Sequence, residues 1–147
     1  MDRDELTGLR LRPLLDPGVT CRAMIAIDVD YMKAFNDHAG HESGDAALRD
    51  IAGVIRDTAG DEFTYRVGGE EFLIVLPNSW DGDENVLAER VRAAALVAVR
   101  RRPIRTPLGT ETSTQTGARA PGTRQPRPSV SDVRALTTVA TPSPTRC

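Results

Sequence analysis

Apolar residues along the chain switch between two periods, and each switch marks an element. Near the N-terminus Leu6, Leu9, Leu11, Leu14 and Leu15 recur at mostly helical spacing before Pro17-Gly18, which predicts a short helix or capped turn. A compact apolar run, Ala23 to Ile27, then predicts a strand that delivers Asp28 and Asp30 at its C-terminal end. The following stretch predicts a short helix to about Asp37 and a glycine-interrupted loop through Gly40 and Gly44. Leu48, Ile51, Ala52 and Ile55 then fall on one face of a second helix, from about Asp45 at its N-terminus to Thr58. Two strands come next, Glu62 to Val67 and Phe72 to Leu76. They meet at Gly68-Gly69, where adjacent glycines would supply the positive φ of a two-residue hairpin turn. A third amphipathic helix is expected from about Glu84 to Val99.

Beyond Val99 the pattern stops. Residues 100–147 hold 7 of the 10 prolines, 10 threonines and no aromatic residue, too little apolar bulk to build a core. The reading is one folded unit over residues 1–99 and a disordered Thr/Pro/Arg-rich tail over 100–147. Charge follows the same division: residues 1–99 carry 10 basic and 19 acidic side chains, whereas the tail carries 9 arginines against Glu111 and Asp132. Three consecutive arginines, Arg100 to Arg102, could touch nucleic acid, but without interleaved aromatics a nucleic-acid partner is not expected. Cys21 and Cys147 lie at opposite ends with no paired spacing, so no disulfide framework is expected. With no apolar run near the roughly 20 residues that span a bilayer and no charged-then-apolar leader, a soluble cytoplasmic protein without a membrane segment is expected.

Chemistry concentrates in two short stretches. In "YRVGGEEFLIVLP" two carboxylates, Glu70 and Glu71, directly follow two glycines between runs suited to buried strands. Such neighbours repel unless solvent or a cation sits between them, and Asp28 and Asp30 would reach the same place if their strand lies beside the hairpin. Hard carboxylate oxygens without cysteine suit Mg²⁺, which takes one or two carboxylates and fills its shell with water and substrate phosphates. A calcium loop beginning at Asp28 is excluded, because its sixth position would be Lys33 and its twelfth Ala39. His38 and His41 have a separation that could hold a metal on a helix, but Gly40 between them breaks that geometry. Lys33, the only lysine beside 18 arginines, is placed to meet a phosphate.

Four blocks in order, "DELTGL" at Asp4–Leu9, "DVDYMKAFND" at Asp28–Asp37, "GHESGD" at Gly40–Asp45 and "GGEEF" at Gly68–Phe72, make the chain resemble the GGDEF family of diguanylate cyclases. The resemblance covers roughly residues 4–99. It implies an α/β fold of the α+β sandwich type, a nucleotide-cyclase-like palm with a mostly antiparallel sheet flanked by helices, here incomplete at the C-terminus. It implies a bacterial signalling reaction, the condensation of two GTP to cyclic di-GMP and pyrophosphate at a site shared by two subunits, hence a homodimer. By position in the motifs, Asp28, Glu70 and the carbonyl of Val29 match the ligands of Mg²⁺ or Mn²⁺, and Glu70 also the general base. Lys33 matches the phosphate-facing lysine, Asn36 and Asp45 the guanine contacts, His41 a substrate contact, Gly68 and Gly69 the turn against the triphosphate, and Glu71 the second acid. An Asn and a carboxylate complement guanine's acceptors and donors, which favours GTP over ATP.

The chain also departs from the family pattern. The Arg-x-x-Asp product-inhibition motif would fall at Ala59–Glu62, which reads "AGDE", so feedback through it is not expected. The family's Ser-x-Gly strand and its Lys- and Arg-bearing helix have no counterpart after Val99, which would leave a sheet edge uncovered. The residues leave a second reading open, a catalytically inactive GGDEF domain that binds GTP or a partner protein.

Overall fold

The computed structural model of the 147-residue chain describes residues 2–12, 21–101 and 135–140, the last as backbone only. Among the described residues five strands form one sheet: β1 (Arg10–Leu11), β2 (Cys21–Val29), β3 (Thr64–Arg66), β4 (Glu71–Pro77) and β5 (Ala135–Ala140). Their order across the sheet is β1-β3-β4-β2-β5, with β1 parallel to β3 and every other pair antiparallel. Three helices accompany it, α1 (Met32–Ala39), α2 (His41–Ala59) and α3 (Glu84–Arg100), with a 3₁₀ turn at Asp61–Phe63. The mostly antiparallel palm expected from the motifs is the fold observed. No helix among the described residues is long and apolar enough to cross a membrane.

Side chains alternate across a strand, so β2 sends Ala23, Ile25, Ile27 and Val29 to one face and leaves Arg22 and Ala26 exposed on the other. On β4, Phe72, Ile74 and Leu76 take the same inner face. These residues join Met32 and Phe35 of α1, Leu48, Ile51 and Ile55 of α2, and Leu87, Val91 and Val99 of α3 in a single apolar core. The helical stripes read from sequence are therefore the packed faces. Asp83 starts α3 as its N-cap, accepting from the backbone N–H of Asn85 at 2.8 Å and Val86 at 3.1 Å.

Several expectations need correction. Of the short helix or capped turn expected from the N-terminal leucines, residues 2–12 take the turn, while Leu14 and Leu15 lie outside the described residues. Asp4 accepts hydrogen bonds from the Thr7 N–H (2.7 Å) and Oγ1 (2.6 Å), a local closure that competes with helix formation, and Arg10 and Leu11 then join the sheet beside Tyr65 and Arg66. Nor is there a loop from Gly40 to Gly44. Gly40, at φ 88°, alone joins α1 to α2, which begins at His41, so Asp45 lies inside the helix rather than at its start. The sheet edge expected to be uncovered beside β2 is paired by β5, in register from Met24 opposite Ala140 to Val29 opposite Ala135. The segment "ALTTVA" is rich in β-branched residues, and an open edge offers its backbone the partners it needs. The rest of the tail expected to be disordered, residues 102–134 and 141–147, lies outside the described residues. Cys21 is disulfide-bonded, against the expectation of no disulfide, while Cys147 lies outside the described residues.

Phe72, the last letter of the "GGEEF" block, is 1% exposed and the largest of the fully buried side chains among the described residues. Phe72→Ala is expected to cost about 3–5 kcal/mol of stability, through lost transfer energy and the cavity left behind. Urea denaturation should show it as a lowered midpoint with an unchanged slope.

Candidate active site

The pairing of β2 with β4 creates the site. Its register sets Asp28 directly opposite Glu71, and the N–H of Val29 donates to the carbonyl of Glu70 at 3.1 Å. Like charges directly opposite on neighbouring strands repel. Glu70 feels the result: partial burial raises its pKa above the ordinary 4.5, and the negative charges of Asp28, Glu71 and Asp30 raise it further. The two stretches singled out in the sequence thus meet, and four carboxylates share one corner of the sheet.

The turn between β3 and β4 is not the positive-φ hairpin expected. Among the described glycines only Gly8, Gly40 and Gly60 adopt positive φ, and four residues, Val67–Glu70, separate the strands. The N–H groups of Val67 (3.0 Å) and Gly68 (3.3 Å) both donate to the carbonyl of Glu71. A Cβ on Gly68 would meet the Glu71 carboxylate, lying 3.1 Å from its Cδ, so a side chain there would have to turn that exposed carboxylate aside. A Cβ on Gly69 would meet nothing within 4 Å, so its side is open to an approaching ligand.

One residue that the sequence reading passed over holds this turn. Arg66 donates from Nε to the Gly68 carbonyl (3.2 Å), from Nη2 to the Gly69 carbonyl (2.6 Å) and from Nη1 to Asp4 Oδ2 (2.7 Å). The Asp4 oxygen already accepts from Thr7, so the "DELTGL" block and the "GGEEF" block are fastened to each other through one guanidinium. Arginine suits this place because its planar fork can serve a carboxylate and two carbonyls at once. The signal available in sequence was an arginine two residues before the glycines and an unassigned Asp four residues from the start.

Tyr31, between the acids and α1, has φ 62° and is largely exposed. A left-handed non-glycine residue costs of order 1–3 kcal/mol and persists where surrounding structure imposes it. Here it turns the chain sharply from β2 into α1, whose N-terminus has no side-chain cap. Orphan N–H groups are therefore left beside the strand end that carries Asp28 and Asp30. Lys33 stands exposed in the first turn of α1, paired with no carboxylate among the described residues. Asn36 follows one turn later and packs against Gly44, next in sequence to exposed Asp45. His41, also exposed, is the first residue of α2 and one turn before Asp45.

Among the described residues no group of three or more His, Cys, Asp or Glu is disposed to hold a metal ion by itself. Two carboxylates and a backbone carbonyl would still fit a hard divalent cation that keeps water and takes phosphate oxygens. The crowding that raises the Glu70 pKa is the electrostatic demand such a cation would meet.

The family model described as "Diguanylate cyclase, GGDEF domain" matches residues 2–121. The chain belongs to the GGDEF family. That match extends past residue 99, where the motif resemblance stopped. Among curated relatives, "Probable diguanylate cyclase DgcF" of Escherichia coli (strain K12) is 39% identical over 70 residues, 47% of this chain and 22% of the relative. A diguanylate cyclase of Vibrio cholerae serotype O1 is 44% identical over 69 residues, 46% of this chain and 22% of that protein. The chain thus spans less than a quarter of the length of these relatives. In fold it is similar to the GGDEF domain of DgcB from Caulobacter crescentus, solved in complex with c-di-GMP. That likeness has a TM-score of 0.66 and 24% identity, and covers 97% of this chain and 78% of that one.

Two measurements test this GGDEF corner. Burial pushes the Asp4 pKa up, but hydrogen bonds from Thr7 and Arg66, with the Arg66 charge, hold it below 3.8 overall. A depressed carboxylate stabilises the fold above its ordinary pKa, and the contribution disappears as pH falls through the folded value. Asp4→Asn is expected to cost about 1.5–3 kcal/mol at pH 7. The gap in Tm from the unsubstituted protein should narrow as pH drops below 3.8. Glu70 runs the other way: with its pKa raised, its ionisation costs stability as pH rises through the folded value. In metal-free buffer at neutral pH, Glu70→Gln is expected to raise Tm by about 2 °C, the scale of a few tenths of a kcal/mol in an exposed charge cluster. A lower Tm would count against the repulsion.

Proposed function

We propose that this chain is the cyclase domain of a cytoplasmic diguanylate cyclase, joining two GTP into cyclic di-GMP with release of two pyrophosphates. The observation that carries the reading is the convergence of Asp28, Asp30, Glu70 and Glu71 beside an uncapped helix start and an open glycine turn. Acids that repel one another and free backbone donors together fit a metal-bound triphosphate, where neither would fit it alone. The relatives' names point the same way.

In this reading Asp28, Glu70 and the Val29 carbonyl would hold Mg²⁺ or Mn²⁺, which would supply neutralisation of the triphosphate charge and Lewis acidity at the α-phosphate. Asn36 and Asp45 read the guanine edge, and His41 contacts the substrate. Lys33, on the first turn of α1, places its ammonium against the charge that develops on the departing phosphates. Gly68 and Gly69 let the turn backbone come close to the triphosphate, and Glu71 adds the second negative charge beside Asp28. The 3′-hydroxyl of one GTP attacks the α-phosphorus of the other. Its proton passes to the Glu70 carboxylate as the bond to pyrophosphate breaks. Each domain binds one GTP, so two copies must face each other as a homodimer for the second bond to close the ring.

Incubating the full chain with GTP and MgCl₂ and separating the nucleotides by chromatography should yield cyclic di-GMP. Glu70→Gln should lower turnover by at least about 100-fold, since one substitution removes a metal ligand and the base. Turnover retained in that variant would overturn the site, and guanine-nucleotide binding without product would support the non-catalytic reading instead.

A further inference from the structure

Gly44 lies in the first turn of α2 with its backbone in the helix, and it is buried. Its φ is not in the left-handed region, so the conformation does not require glycine, and alanine would favour the helix. What a side chain there would displace is Asn36. A Cβ on Gly44 would overlap Asn36 Oδ1 and lie 2.8 Å from Cγ and 3.3 Å from Nδ2. The α-hydrogen in that direction therefore points at the amide oxygen, the arrangement of a weak Cα–H···O contact. Asn36 Oδ1 is itself buried and has no conventional hydrogen-bond partner. A helix glycine that gives up propensity and an amide oxygen that gives up a hydrogen bond meet at one point, next to Asp45.

We infer that Gly44 is a positioning residue for base recognition: by admitting the Asn36 oxygen against α2, it sets the direction of the carboxamide beside Asp45. The inference rests on the proposed reading of Asn36 and Asp45 as the guanine contacts. Any Cβ at position 44 drives the carboxamide out of that orientation, so it acts on recognition of the base and not on the carboxylates around Glu70.

The test uses the full chain with Gly44→Ala, Asn36→Ala and the double variant. Calorimetry with Mg²⁺ and the α,β-methylene analogues of GTP and ATP supplies the affinities, and thermal melts supply stability. Gly44→Ala should weaken the GTP analogue by about five- to tenfold, the scale of one lost hydrogen bond, and leave the ATP analogue within about twofold. In the Asn36→Ala background the same change should alter affinity by less than about twofold and should raise Tm, because the obstructing amide is gone and only the gain in helix propensity remains. Unchanged binding by Gly44→Ala, or an equal loss in both backgrounds, overturns the inference. If the unsubstituted protein shows no preference for the guanine analogue, the guanine reading fails and this inference with it; a preference untouched by Gly44→Ala removes the inference alone. Should Gly44→Ala fail to fold while the double variant folds, the steric coupling to Asn36 stands, and the double variant must then match Asn36→Ala in guanine affinity.

Discussion

The register between β2 and β4 is the constraint on which this domain depends. It sets Ile25 opposite Ile74 and Ile27 opposite Phe72, all buried, and by the same alignment sets Asp28 opposite Glu71. Burying each large apolar side chain is worth about 1.5–3 kcal/mol, whereas a like-charge pair on the strand end costs at most about 1 kcal/mol. The core therefore dictates the pairing, and the carboxylates are held together against their own repulsion. A slip by one residue would turn Phe72 and Ile27 to the other face, so the charges cannot separate without losing the core.

The turn that carries Glu70 depends in its turn on residues remote in sequence. Gly68 and Gly69 present two carbonyls with no partner in the hairpin, and Arg66 takes both while its charge is balanced by Asp4. Asp4 can do this because Thr7 has already oriented its carboxylate. The N-terminal block is thus a brace for the acidic corner rather than a cap on a helix. At the other side of the sheet β5 pairs along β2, whose end carries Asp28, so the strand bearing that acid is bonded on both edges.

Much of this was legible because it is local. Period-two and period-3.6 patterns in Ala23–Ile27 and Leu48–Ile55 name buried faces without reference to any other part of the chain. The motif acids were found for a similar reason: Asp28, Asp30, Glu70 and Glu71 follow apolar runs or glycines at short, fixed distances. Where the reading erred, a distant partner had outweighed a local preference. The leucine spacing before Leu11 left helix and capped turn open, and Asp4 binding Thr7 and Arg66 decides for the turn, with a short strand after it that the spacing did not predict. Gly44 reads as a loop residue by propensity, yet it lies buried in the first turn of α2 with Asn36 packed against it.

By itself, then, the sequence determined the apolar stripes, the presence and order of the core helices and strands, and the identity of the acids, since each follows from spacing within a few residues. Tertiary structure decided which acids face each other, what a side chain at Gly68 or Gly44 would displace, what Arg66 holds and which segment closes the edge of β2. Those outcomes depend on contacts between residues tens of positions apart, such as Arg66 with Asp4 and Asp28 with Glu71. No periodicity along a chain encodes such distances, because they arise only when the packed core has brought the segments together.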